Sequence, residues 1–382
     1  MTEAPNEVTQ HLQVLLRNLM QRKRVKQAVM ALESGDHSFR WIGATGEASP
    51  DGTPMQQDTP FFIASIDKLL NATVVMKLSE GGELDLDASL GTYLPRALTG
   101  GLNRHGGVDY SDQITVRHLL GHTSGLADWL EDRPKGGRSL IERVLHDGDV
   151  ALSIEDIAAI VREQLMPHFP PQDTSAKRPK IRYCDTNYIL LIAVIEAVSG
   201  KPLHQVHEQL LFRPLGMRHT YFPGHSQPLE PTPQAAVLRF EGRPLSIPLL
   251  MRSLWGVYST AADTLTFLRS FVTGEVFHDQ STLASMQERW NRFGFPLDHA
   301  ALRSPGWPIE YGLGIMRFRL PRIFTPLHPM PLVLGHTGST GCWLFYCPER
   351  DMLLSGSVDE ATAGALPYRI VPKLLHILGT SS

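Results

Sequence analysis

Ser65 and Lys68 stand three residues apart in the stretch ASIDKLL, at the mouth of the apolar run LLNATVVMKL. A serine hydroxyl is a poor nucleophile until a base takes its proton. On a helix, an i, i+3 spacing sets two side chains on one face, so Lys68 can reach Ser65. A nucleophile at a helix start also gains from unpaired N–H groups that favour developing negative charge. Alone, this pattern is a weak signal in a chain of 382 residues. Two further stretches carry chemistry. RYCDTNYILL sets Tyr183 and Asp185 two apart before a helix start, where by themselves they read as a packed aromatic and a helix cap. LGHTGSTGCWLF places His336, Thr337 and Gly338 in a strand-like run, and a strand glycine lets another backbone or a ligand come close.

In this order and separation, the three pieces resemble the Ser-x-x-Lys, Tyr-x-Asn and Lys/His-Thr-Gly motifs of the serine β-lactamase and penicillin-binding-protein superfamily. The likeness is to the class C β-lactamase-like branch, which includes esterases and D-aminopeptidases. ITVRHLLGHTSGLADW, CDTNYILLIAVIEAVSGKPL, LFRPLGM and GVYSTAADTLTFL resemble the same branch, so the likeness runs from about residue 27 to the end. It implies Ser65 as the acylated nucleophile and proton handling shared by Lys68 and Tyr183. It implies an oxyanion hole from the backbone N–H groups of Ser65 and Ser339, and a substrate-binding edge at Asp185, His336, Thr337 and Gly338. It implies no cofactor and no metal.

The sequence departs from the pattern at three points. His336 replaces a lysine that would offer a fixed cation to a substrate carboxylate, and an unperturbed histidine is mostly neutral near pH 7. Asp185 replaces an asparagine; ionised, it only accepts hydrogen bonds, and it can hold Lys68 charged, which favours a Tyr183 phenolate as base. Asp67, inside the first motif, is expected to point away from the site toward the positive end of its helix. Cys184 and His122 are read as structural. Together these departures favour an ester or neutral amide over a β-lactam. The leading function is a serine hydrolase working through an acyl-enzyme, an esterase before others. The alternatives are an acyltransferase using the same acyl-enzyme, a β-lactamase or D-amino-peptidase, and a slowly acylated penicillin-binding module.

The elements that must position these residues follow from periodicity. Leu12, Leu15, Leu16 and Leu19 share one face, which predicts an amphipathic helix over 6–24. KQAVMALES and SFRWIGATGEA predict a hairpin, and helices are expected at 65–80, 115–121, 186–199 and 260–272. YGLGIMRF, PLVLGHTG, GCWLFYCPE and DMLLSGSVD predict successive antiparallel strands, and LPYRIVPKLLHILG a closing helix that Pro372 bends or begins. The expected fold class is α/β (α+β) and β-lactamase-like: a central antiparallel sheet flanked by N- and C-terminal helices. A sheet-containing domain is expected from 1–68 and 246–382, with a mostly helical insertion at 69–245. Pro-rich loops at 167–179, 222–248 and 303–331 would shape the pocket.

Composition narrows the function classes. The net charge of −3 gives no reason to expect nucleic acid or a membrane surface as partner. The basic run RKRVK reads as a solvated helix face. No apolar run reaches a membrane span and no signal peptide is read at the start. Cys184, Cys342 and Cys347 read as reduced thiols of a cytoplasmic protein. GHSQP is the nearest approach to Gly-x-Ser-x-Gly and lacks its last glycine; HEQLL stops short of a zinc-protease motif. The expected partner is a small ester or amide; oligomeric state has no readable signal.

Overall fold

A computed structural model describes residues 6–295, 298–323, 325 and 329–379. The first helix, α1 (Asn6–Met20), presents Leu12, Leu15, Leu16 and Leu19 as a buried stripe, each worth about 2 kcal/mol of apolar burial. It stops four residues short of the expected end. Arg22 and Val25 donate backbone N–H groups to Leu19 and Arg22, so the basic run forms turns rather than a helix face. The cause is the next element: Gln27 must pair with Gly46, and the chain has to reverse before it.

The strands of the main sheet are β1 (Gln27–Ser34), β2 (Arg40–Gly46), β3 (Asn291–Arg292), β4 (Glu310–Tyr311), β5 (Met316–Phe318), β6 (Val333–Gly338), β7 (Cys342–Cys347) and β8 (Met352–Ser357). Their spatial order is β2-β1-β8-β7-β6-β5-β4-β3, antiparallel throughout. The expected antiparallel sheet is therefore built from both chain ends. β4 and β5 interrupt the stretch 303–331, which is less of a loop than its prolines imply.

Alternation sorts the strand residues onto two faces. Ala28, Met30, Leu32, Trp343 and Phe345 pack with α1 and with the closing helix α5 (Pro367–Gly379). Pro372 lies inside α5, past its first turn, where it removes one helical hydrogen bond. Val29, Ala31, Leu344 and Leu353 face the other way, into a core shared with α2 (Asp67–Glu80), α3 (Asp185–Ser199) and α4 (Ala261–Val272). α3 ends where Gly200 takes φ 66°, a left-handed cap that a side chain would strain. Among the described residues no single helix is long and apolar enough to cross a membrane.

Candidate active site

Ser65 lies in a short 3-10 turn, Ala64–Ile66, that runs directly into α2. Ala64 takes φ 45°, a conformation a non-glycine residue holds only when its surroundings fix it. Those surroundings include Gly338 of β6. A Cβ built there would lie 2.7 Å from the Ala64 Cβ and 2.3 Å from the Cys342 Sγ. Only a glycine lets the strand approach the nucleophile turn this closely. Cys342 donates its thiol hydrogen to the Ile63 carbonyl at 3.0 Å, tying β7 to the same turn.

Lys68 donates from Nζ to Ser65 Oγ at 3.1 Å and pairs with Asp185 Oδ1 at 2.6 Å. Its Nζ is 5.3 Å from the Tyr183 ring centre and 5.4 Å from that of Tyr188. Burial works against the lysine charge. The Asp185 carboxylate, with Tyr183 and Asp67 beyond it, outweighs that and holds Lys68 well above the ordinary lysine value. Burial also lifts the Tyr183 phenol well above its ordinary value; the Lys68 cation pulls down and the Asp185 charge pushes up again. So Asp185 does keep Lys68 charged, but its own charge offsets the cation that a resting phenolate would need. The Tyr183 hydroxyl is enclosed and makes no hydrogen bond within normal reach among the described residues, although Ser65 stands near enough to favour its ionised form.

Asp185 opens α3, and its backbone N–H is taken by the buried Asp128 carboxylate at 2.7 Å. Asp128 also accepts the N–H groups of Leu130 and Glu131, so one carboxylate fixes both a turn and the start of α3. Cys184 turns away from Tyr183, its thiol directed at the Ala127 carbonyl.

His336 is fully enclosed rather than lining an open edge. Its Nδ1 donates to the Thr337 carbonyl at 2.8 Å, so its Nε2 accepts from the Tyr311 hydroxyl at 3.1 Å. Burial, helped by the Lys68 cation, pushes its pKa down to about 3. It is a neutral ring, 6.3 Å from that of Tyr183. Thr337 faces the other side of β6, where its hydroxyl donates to the Cys342 carbonyl. Ser339 is exposed just past the end of β6. Ser65, Lys68, Tyr183, Asp185, His336 and Gly338 are thus brought together; the Thr337 side chain is not.

Asp67, in the first turn of α2 as expected, is half-buried rather than solvated. One of its carboxylate oxygens is enclosed and has no hydrogen-bond partner among the described residues. Burial raises its pKa to about 7, against the pull of Lys68 and with help from Asp185. A carboxyl raised this way is protonated in the folded state and ionised in the unfolded chain between about pH 4 and 7, so stability falls as pH rises through that window. Asp67→Asn should therefore raise Tm by about 1–2 °C at pH 8 for each kcal/mol relieved, and far less at pH 4.5. Equal gains at both pH values in thermal melts would count against an uncompensated Asp67 charge.

Tyr311, Tyr188 and Asp128 escaped sequence reasoning. Tyr311 was legible only as the first residue of a strand, and Asp128 only as part of a resembling segment. His122, read as structural, packs its ring 4.4 Å from that of Tyr183.

Among known proteins, the beta-lactamase family model matches residues 12–358. The chain is 29% identical to esterase EstB of Burkholderia gladioli over 322 residues, 77% of this chain and 76% of that protein. It overlays the D-amino acid amidase of Ochrobactrum anthropi SV3 with a TM-score of 0.75 at 22% identity, covering 98% of this chain and 99% of the other. At that identity the overlay speaks to the fold alone. Two Bacillus subtilis (strain 168) proteins named as penicillin-binding proteins match at 27% over 58% of this chain and 28% over 55% of it. The chain spans about half the length of these two, 49% and 41%.

Proposed function

Because this chain belongs to the beta-lactamase family, a family of serine-hydrolase type, we propose that it cleaves an ester or a neutral amide through an acyl-enzyme on Ser65. The observation that carries this reading is Lys68 Nζ, placed 3.1 Å from Ser65 Oγ and 2.6 Å from Asp185 Oδ1.

The pair explains how a charged lysine serves as a base. As Ser65 Oγ bonds to the substrate carbonyl carbon, its proton passes to Lys68 Nζ while Lys68 releases another to Asp185. The charge is moved, not created, inside an enclosed site. The N–H groups of Ser65 and Ser339 receive the carbonyl oxygen as it becomes negative, each such donor contributing about 2.7–4 kcal/mol. When the carbonyl–leaving-group bond breaks, the neutral Tyr183 phenol gives its proton to the leaving oxygen or nitrogen. The phenolate so formed faces the Lys68 cation and is reprotonated through Lys68 from Asp185. Water then attacks the acyl-enzyme by the reverse sequence. Lys68 and Tyr183 titrate as members of one coupled group.

Ester preference follows from charge. The neutral, enclosed His336 offers no cation to a substrate carboxylate, and Asp185 adds an anion where the family has an amide. The kcat/KM for a p-nitrophenyl ester should exceed that for a chromogenic cephalosporin by about 100-fold or more, the scale set by an unmatched polar group. A protein that turns over the cephalosporin faster is better described as a β-lactamase.

A further inference from the structure

His122 is the strongest feature that the acyl-enzyme reading leaves unused. It is fully buried, at φ 55°, in the turn after Leu120. Its ring lies 4.4 Å from that of Tyr183, 4.7 Å from Tyr311 and 5.3 Å from Tyr188. Its Nδ1 faces two N–H donors: the backbone of Cys184 at 3.2 Å and the Asn187 side-chain amide at 3.0 Å. The Asn187 orientation is itself fixed, because its carbonyl oxygen accepts from Ser124 Oγ at 2.6 Å. Nδ1 is therefore an acceptor, and in a neutral ring the hydrogen is on Nε2. Burial, with the nearby Lys68 cation and then His336, keeps the ring neutral by holding its pKa well below the ordinary value. That Nε2–H is enclosed and has no partner among the described residues. Buried donors are nearly always paired, so an exception calls for a reason.

We propose that His122 is the positioning residue for Tyr183, and that its unpaired Nε2–H is kept for the negative charge that arises in the tyrosine cluster during turnover. The first role follows from the Cys184 contact. Cys184 is the single residue between Tyr183 and Asp185, so the imidazole that grips its N–H sets both side chains against Lys68. The second follows from the mismatch between rest and reaction. At rest neither the Tyr183 hydroxyl nor His122 Nε2 has a hydrogen-bond partner within normal reach among the described residues. When Tyr183 gives up its proton, a phenolate forms beside a waiting donor and the Lys68 cation. The groups facing this cluster are Lys68 and Asp67 from α2, Tyr183 just before α3, Asp185 and Tyr188 in its first turns, Tyr311 from β4 and His336 from β6. Of these, Lys68 alone is a cation, so a second donor has a distinct effect.

This inference rests on the acyl-enzyme reading, and its test separates the two. The tautomer is read first, by nitrogen-15 NMR of the histidine-labelled wild type between pH 5 and 9. A neutral Nε2–H signal for His122 throughout is expected; an Nδ1–H or doubly protonated ring overturns the proposal without any mutant. Then His122→Phe, which keeps a ring but no nitrogen, is compared with His122→Asn, which tolerates the positive φ and keeps hydrogen-bonding atoms. With a p-nitrophenyl ester, His122→Phe should lower kcat by about 10–100-fold with KM changed less than about twofold, and should move the alkaline limb of the pH profile to higher pH. His122→Asn should recover part of the loss. Folded variants with unchanged kcat and pH profile, or equal losses that fall only on KM, overturn the proposal. Fluorophosphonate labelling of Ser65 in the wild type reports separately on the acyl-enzyme reading.

Discussion

Replacing Ser65 by alanine should abolish ester turnover, with a loss of about 10⁴-fold or more, and leave the fold intact. The size follows from what remains: without the nucleophile, only binding and the oxyanion donors are left. The fold survives because Ser65 is partly exposed, and its hydroxyl accepts from the Lys68 side chain rather than from a backbone group. The neighbours that hold the turn, Cys342 on the Ile63 carbonyl and Gly338 against Ala64, are untouched. Intact-mass measurement after a fluorophosphonate should show one adduct on the wild type, with fluoride lost as the Ser65 oxygen bonds to phosphorus, and none on the variant. A Ser65→Ala protein that keeps its activity would remove the central claim.

The second large effect separates activity from stability at Lys68. Lys68→Met should lower the acylation rate by about 10²–10⁴-fold, the usual range for losing a positioned base. It should also destabilise the fold by about 3–5 kcal/mol, because Asp185 stays behind as an unpaired, largely enclosed anion. The pair is only 7% and 17% exposed in its two side chains, so water does little to relieve that charge. Adding Asp185→Asn should return most of the lost stability, since both charges are then gone, and none of the activity. Tyr183→Phe should be as damaging as Lys68→Met for acylation, and the two together little worse than either, as for groups that act as one unit. Stopped-flow acylation rates and denaturant melts on these four proteins make the comparison. Additive rate losses would mean that Lys68 and Tyr183 act on separate steps. A double variant as unstable as Lys68→Met alone would mean that the ion pair does not set the stability.

The sequence alone determined the sheet and the helices at both ends, and it singled out Ser65, Lys68 and Tyr183 as the residues proposed for the chemistry. These are carried by local signals: the short buried runs MLLSGS and CWLFYC bounded by turn residues and charge, the leucine stripe of α1, and three short motifs in a telling order. Each can be read within about ten residues because side-chain periodicity is a local property of the backbone. Tertiary structure decided what no local window contains. It turned His336 inward onto Tyr311, as a neutral, fully enclosed ring 6.3 Å from that of Tyr183. It sent Thr337 to the opposite face because neighbouring strand residues must alternate. It enclosed one carboxylate oxygen of Asp67, which a helix start alone would leave in water. It also brought His122 and Tyr311, 189 positions apart, within 4.7 Å between ring centres. The charge states of Lys68 and Tyr183 belong to this second group. A pKa depends on burial and on charges nearby in space, and Asp185 reaches Lys68 only once α2 and α3 have packed.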